Sequence, residues 1–224
     1  MEYTQLPFIE KVKTNQKEFG NKVISIAQKL GVPAAALMIV MNNESGLNSA
    51  IKNPNSSASG LIQFIESTAK ELGTTTAKLR AMSNVEQLDY VYKYMNTYKG
   101  KLKDTADVYL AVFFPVALYK NLDWEFPNWA VVGNPIFDIN KDGTLTKQEF
   151  KNYVYNKYKK YIPNEFTPAV EPTTQPESEK QIKFWTRYKK PILITAGGLL
   201  ALTLIYYATK DKSNTQRKQL RRYA

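Results

Sequence analysis

Apolar residues recur every three or four positions from Asn15 to Leu30, at Phe19, Val23, Ile24, Ile26, Ala27 and Leu30, which predicts an amphipathic helix that stops at Gly31. Pro33 then suits the first turn of a second helix over residues 34–45, AAALMIVMNNES, which is apolar on most faces and so is expected in the interior. Gly46 to Gly60 is rich in Asn, Ser, Gly and Pro, the mark of an irregular or hairpin stretch. Short helices are predicted from Glu66 to Leu72, closed by Gly73, and from Thr76 to Ala81. Ser83 with Glu86 forms a capping box that opens a helix running to about Tyr98. Asp104 to Tyr119 reads as one further apolar helix.

The pattern changes from Trp124 onward. A polar loop, Asp138 to Glu149, opens a helix that should end near Ile162, while Gly133 and Pro135 interrupt the entering side. Pro163, Pro168, Pro172 and Pro176 make residues 163–180 a semi-extended linker. Residues 191–208 carry no charge and would form a helix of about 27 Å, enough to cross a bilayer core. Trp185 and Tyr188 precede this transmembrane helix and Tyr206 and Tyr207 close it, as an aromatic belt would. Basic residues flank both ends, so orientation stays open, and residues 209–224 form a basic tail. The N-terminus shows no apolar signal core.

Composition adds charge and removes chemistry. Lys plus Arg outnumber Asp plus Glu by 31 to 20, a net charge of +11. Much of the excess surrounds the hydrophobic segment, so a lipid membrane, contacted through 191–208, is the expected polyanion. Nucleic acid stays open for the tail alone and is not the expected partner. There is no His and no Cys. That excludes Ser-His-Asp and Cys-His catalysis and His-ligated zinc, leaving carboxylates, hydroxyls, amines or a carboxylate-bound metal.

Among the carboxylates, Glu44 stands near the end of the apolar second helix and before a polar, Gly-containing turn. Glycosidic cleavage needs an acid whose pKa is raised by desolvation, and that position provides it. Read from periodicity alone, Glu44 is better explained as a solvated residue at a helix end. The neighbouring words are Glu44-Ser45, Asn48 and Ala50, then Ala58-Ser59-Gly60-Leu61-Ile62-Gln63-Phe64 and Thr68-Ala69. In order and approximate spacing they resemble the lytic transglycosylase and goose-type lysozyme family, over about residues 20 to 120.

The resemblance implies a mainly α, lysozyme-like fold (α+β with a small hairpin region) over residues 15–123, with Glu44 as the sole acid/base. It implies that the strand from Gly60 to Phe64 lines the sugar groove, that Gln63 and backbone groups touch an N-acetyl sugar, and that Ser45 supports Glu44. Family members usually carry an Ala-Tyr-Asn-Ala-Gly block whose Tyr approaches the acid. Here the stretch reads Tyr109-Leu110-Ala111-Val112-Phe113-Phe114-Pro115, so Tyr109 or Phe113 is expected to take part of that role, and an anhydro product or hydrolysis both stay open. This variant resembles phage-encoded members. Glu66, Asp89 and Asp107 are the candidates for a second carboxylate, each better explained as a surface or capping residue.

Asp138-Ile139-Asn140-Lys141-Asp142-Gly143-Thr144-Leu145-Thr146-Lys147-Gln148-Glu149 matches the EF-hand calcium loop. Asp138, Asn140 and Asp142 supply oxygens, Gly143 turns the chain, Thr144 offers its carbonyl, Thr146 acts directly or through water, and Glu149 closes the site. A solitary loop within residues 124–162 argues for a structural Ca2+ rather than a sensor. The expectation is a membrane-anchored enzyme cutting peptidoglycan glycan strands, phage-encoded, in a virion's internal membrane or the bacterial inner membrane facing the wall. The rival is a membrane-anchored structural or glycan-binding protein with a degenerate lysozyme fold. Oligomeric state is not legible.

Overall fold

The computed structural model of the chain describes residues 1–162 and Asn164. The linker at 163–180, the span at 191–208 and the tail at 209–224 therefore lie outside the described residues, except for Asn164. Among the described residues no single helix is long and apolar enough to cross a membrane.

The described part is mainly helical. Helix α1 (Gln16–Leu30) ends where Gly31 takes φ +72° and donates back to Ala27 and Gln28. That left-handed step suits glycine and reverses the chain. Helix α2 (Ala34–Ser45) is buried from Ala34 through Met41 and packs between α1 and α6 (Thr105–Phe113). Helices α3 (Glu66–Glu71) and α4 (Thr76–Ala81) are short, and α5 (Asn84–Asn96) opens on the reciprocal Ser83–Glu86 capping box and packs on α1. After α7 (Asn128–Gly133), α8 (Lys147–Tyr158) packs against α6.

Two expectations need correction. The helix expected over Asp104 to Tyr119 is broken: α6 stops at Phe113, Phe114 turns to φ −153° and ψ 75°, and a 3-10 turn runs Pro115–Tyr119. Pro115 has no N–H to donate and its ring disfavours helical geometry in the residue before it. Gly60 to Phe64 is a tight turn rather than a strand. Isolated bridges join Lys52 to Ser59 and Ser59 to Phe64, and Gly60 and Gln63 take φ of +75° and +54° between them.

The core crosses the outline of the expected segments. Leu6, Ile9 and Val12 from the N-terminus and Leu145, Phe150 and Val154 from the C-terminal part join the apolar cluster built around α2 and α6. Its seam with α8 is aromatic: Phe113 stacks on Phe150 at 5.3 Å and 5°, with Phe137, Phe126 and Tyr109 around them. Within that seam Lys151 reaches Asp104 at 2.7 Å and Asp107 at 2.8 Å.

Candidate active site

The last turn of α2 delivers Glu44 to a pocket. The helix is apolar all round for two turns, so its C-terminal end emerges from the core with Glu44 only 8% exposed. Neither carboxylate oxygen has a hydrogen-bond partner. Burial without compensation disfavours the anion and holds the Glu44 carboxyl well above the usual carboxylate range. The pocket encloses about 310 Å³ of empty space, part of it open to solvent, and Gln63, Phe64, Thr68, Tyr94 and Val112 contribute to its walls.

The Gly60–Phe64 turn is pinned to this helix end from two sides. The Ser45 hydroxyl donates to Met41 O at 2.9 Å, with Leu61 O also within reach at 3.0 Å. Leu61 N donates to the Gln87 side chain, whose amide in turn donates to Ser49 O at 3.0 Å and Leu79 O at 2.7 Å. Gln87 is fully buried, and a Cβ on Gly60 would collide with its amide carbon at 2.8 Å. Glycine is thus required at residue 60 for space as well as for its positive φ. Gln63 keeps a left-handed backbone, and its side chain donates to Gly60 O at 3.1 Å. A non-glycine residue held there is a local strain of the kind that accompanies working sites.

Of the residues expected at the site, Glu44, Gln63 and Phe64 line the pocket. Ser45, Gly60 and Leu61 brace it, and Ser45 does so through carbonyls without touching the Glu44 carboxylate. Tyr109 and Phe113 are not among the lining residues. They lie on the face of α6 turned to α8, where both rings pack against Phe137 and Phe150. Tyr109 is near enough that the Glu44 charge adds to burial in raising its hydroxyl well above the usual phenol range. The wall they were expected to form is made by Val112 and by Tyr94 from α5. Tyr94 donates to Ala111 O at 2.7 Å, and burial, then Tyr98 and Glu44, push its hydroxyl upward. Ile62, Ile65 and Thr68 complete the lining; Ile62 lay within the Gly60–Phe64 stretch and Thr68 within the Thr68-Ala69 word, whereas Ile65 had no signal in the sequence.

The other acids are engaged elsewhere. Glu66 accepts from Thr76 Oγ1 at 2.6 Å and Thr76 N at 3.0 Å, Asp89 pairs with Lys22 at 2.8 Å, and Asp107 faces Lys151. None of them lines the pocket.

In the 138–149 loop, Gly143 takes φ +85° and donates to Asp138 Oδ2 at 3.0 Å, while Thr144 N donates to Asp142 Oδ1 at 2.8 Å. Asp142 is therefore satisfied within the loop, and among the described residues no three acidic side chains converge as a ready metal cluster. Asp138 Oδ1 and Glu149 Oε1, at the first and last ligand positions, are buried and have no partner. Buried carboxylate oxygens left unpaired are the donors that a hard cation would satisfy.

A desolvated carboxyl beside a pocket can hold a proton ready for transfer, which is what general acid chemistry needs. Residues 21–117, from α1 into the turn after α6, match the family profile described as Transglycosylase SLT domain. This segment is thus similar to lytic transglycosylase domains, whose members act on peptidoglycan. Neither a curated protein nor a solved structure matches the chain.

Proposed function

We propose that the chain cuts the β-1,4 bond between N-acetylmuramic acid and N-acetylglucosamine with Glu44 as acid and then base, and that it releases 1,6-anhydro ends. The observation that carries this reading is the Glu44 carboxyl, buried and without a polar partner, beside a pocket that no second carboxylate among the described residues lines. Desolvation keeps the proton on Glu44 until the glycosidic oxygen takes it. The resulting carboxylate then accepts the proton of the substrate's own C6 hydroxyl, whose oxygen closes on C1, so neither water nor a second acid is needed. Gln63 and Thr68 offer polar contacts to the sugar, and Tyr94 with Phe64 gives it an aromatic wall. Mass spectrometry of fragments released from purified murein tests the proposal. Anhydro ends are expected from the full chain, whereas reducing ends, or undiminished release by Glu44→Gln, would refute it.

The same reading includes a structural Ca2+ in the loop from Asp138 to Glu149 and a membrane tether at 191–208, in keeping with a virion or inner-membrane enzyme. Asp138, Asn140, Asp142, Thr144, Thr146 and Glu149 would hold the cation, which would supply charge for the two orphaned oxygens and take no part in bond cleavage. Saturating Ca2+ at a hundredfold its dissociation constant should stabilise the fold by about 2.7 kcal/mol. A melting curve that chelation and Glu149→Gln leave unmoved would remove the metal from the account.

A further inference from the structure

Asn42 and Asn43, the two residues before Glu44 on α2, are each held by a residue from outside the family-matched segment. The Lys11 ammonium donates to Asn42 Oδ1 at 2.8 Å. The Tyr158 hydroxyl, on the last residue of α8, donates to Asn43 Oδ1 at 2.7 Å. Asn43 is further fixed by donating to Ile39 O at 2.8 Å. The two outer arms also meet each other. Phe8 and Tyr161 make an edge contact at 5.0 Å, and the Lys11 ammonium sits 4.9 Å from the Phe8 ring centre. A closed collar of contacts thus runs from Phe8 through Lys11, Asn42, Asn43 and Tyr158 to Tyr161 and back.

The collar lies where the helix needs help. Terminal turns fray first, because their last carbonyls lack partners further along the helix. The Glu44 carboxyl makes no hydrogen bond that could fix its own orientation, so its aim is inherited from the backbone. Ser45 secures the residue after it through Met41 and Leu61, and Asn42 and Asn43 secure the residues before it. We propose that Tyr158 is a positioning residue: through Asn43 it locks the last turn of α2 so that Glu44 stays aimed into the pocket and shielded from bulk water. This rests on the reading of Glu44 as the acid. The titratable groups that sense its charge are Tyr94 on α5 and Tyr109 on α6, and neither supplies a hydrogen bond in its place.

Tyr158→Phe removes only the hydroxyl, and the full-length chain can carry the test. Below the melting temperature of every protein compared, kcat on soluble glycan strands should fall about tenfold with little change in KM, short of the ~10²-fold that a full 1 Å misplacement costs. Adding Tyr158→Phe to Asn43→Ala should cost no more than Asn43→Ala alone, since both remove one link. An unchanged kcat accompanied by a lower melting temperature would reduce Tyr158 to a stabilising residue and overturn the proposal. A carbon NMR titration of the Glu44 carboxyl gives a readout independent of turnover. Its midpoint should drop toward the ordinary range in Tyr158→Phe, and an unmoved midpoint would overturn the collar's hold on Glu44. A shifted midpoint in a chain whose wild type releases no glycan would leave the collar standing and sink the glycan-cleaving reading.

Discussion

Glu44 and Asp107 are both buried carboxylates on helices that pack together, α2 and α6, yet their surroundings assign them opposite work. Asp107 has an ammonium at 2.8 Å, accepts from Lys103 N at 3.0 Å, and shares Lys151 with Asp104. Burial alone would lower the Lys151 ammonium, but the two carboxylates outweigh it and hold the lysine above its ordinary range. Glu44 has burial and nothing else. Burial and then Asp104 raise the Asp107 carboxyl too, but the Lys151 ammonium and the Lys103 N–H pull against them, whereas nothing opposes burial at Glu44. The first arrangement fastens α6 to α8, and the second suits general acid chemistry.

The contrast can be tested from either side. Replacing Glu44 by Gln should lower glycan release by about 10³-fold, the range of a lost general acid, without weakening the fold. Zymography and a denaturant curve on the same preparation check both halves. Lys151→Met should do the reverse to stability. It strands Asp104 and Asp107 in the seam and should cost about 3 to 5 kcal/mol by urea unfolding. A loss near zero would mean that water reaches the pair.

Gly60→Ala should be intermediate, at about 2 to 4 kcal/mol, from a positive φ and from overpacking against Gln87. The smallest effect is a matter of pH. A carboxyl whose folded pKa lies above its unfolded value binds its proton more tightly in the folded chain. The stability that Glu44 contributes is therefore present below the unfolded value of about 4.3 and is lost as pH rises toward the raised folded pKa. Glu44→Gln cannot ionise, so its melting temperature should gain on wild type as pH rises above that value. Parallel curves across the window would show that Glu44 is solvated after all.

Much of the helical frame was legible along the chain. The Gly31 stop, the Ser83–Glu86 box and the apolar run before Glu44 are local signals, and they set α1, the start of α5 and the interior place of α2. The break at Phe114 was legible in principle, since Pro115 announces it, but the apolar run across both residues hid it. Glu44 could be singled out as the candidate acid from its position and the words around it.

The pocket, and what supports it, could not. Tyr94, Thr68 and Val112 meet around Glu44 from three helices, and no period along the chain links them. Tyr109 and Phe113 resembled groove residues because they are aromatic and near the altered block; their helical face, set by packing on Phe150, turned them to the seam. Gln87 on Leu61, Lys151 on Asp107 and Tyr158 on Asn43 join residues 26, 44 and 115 positions apart. Local sequence governs which backbone dihedrals and caps a segment favours, and so determined the helices and the carboxyl at the end of one of them. Whether that carboxyl would meet a cation, a hydrogen-bond donor or nothing depended on which distant side chains the core brought beside it, and only the tertiary structure decided that it met nothing.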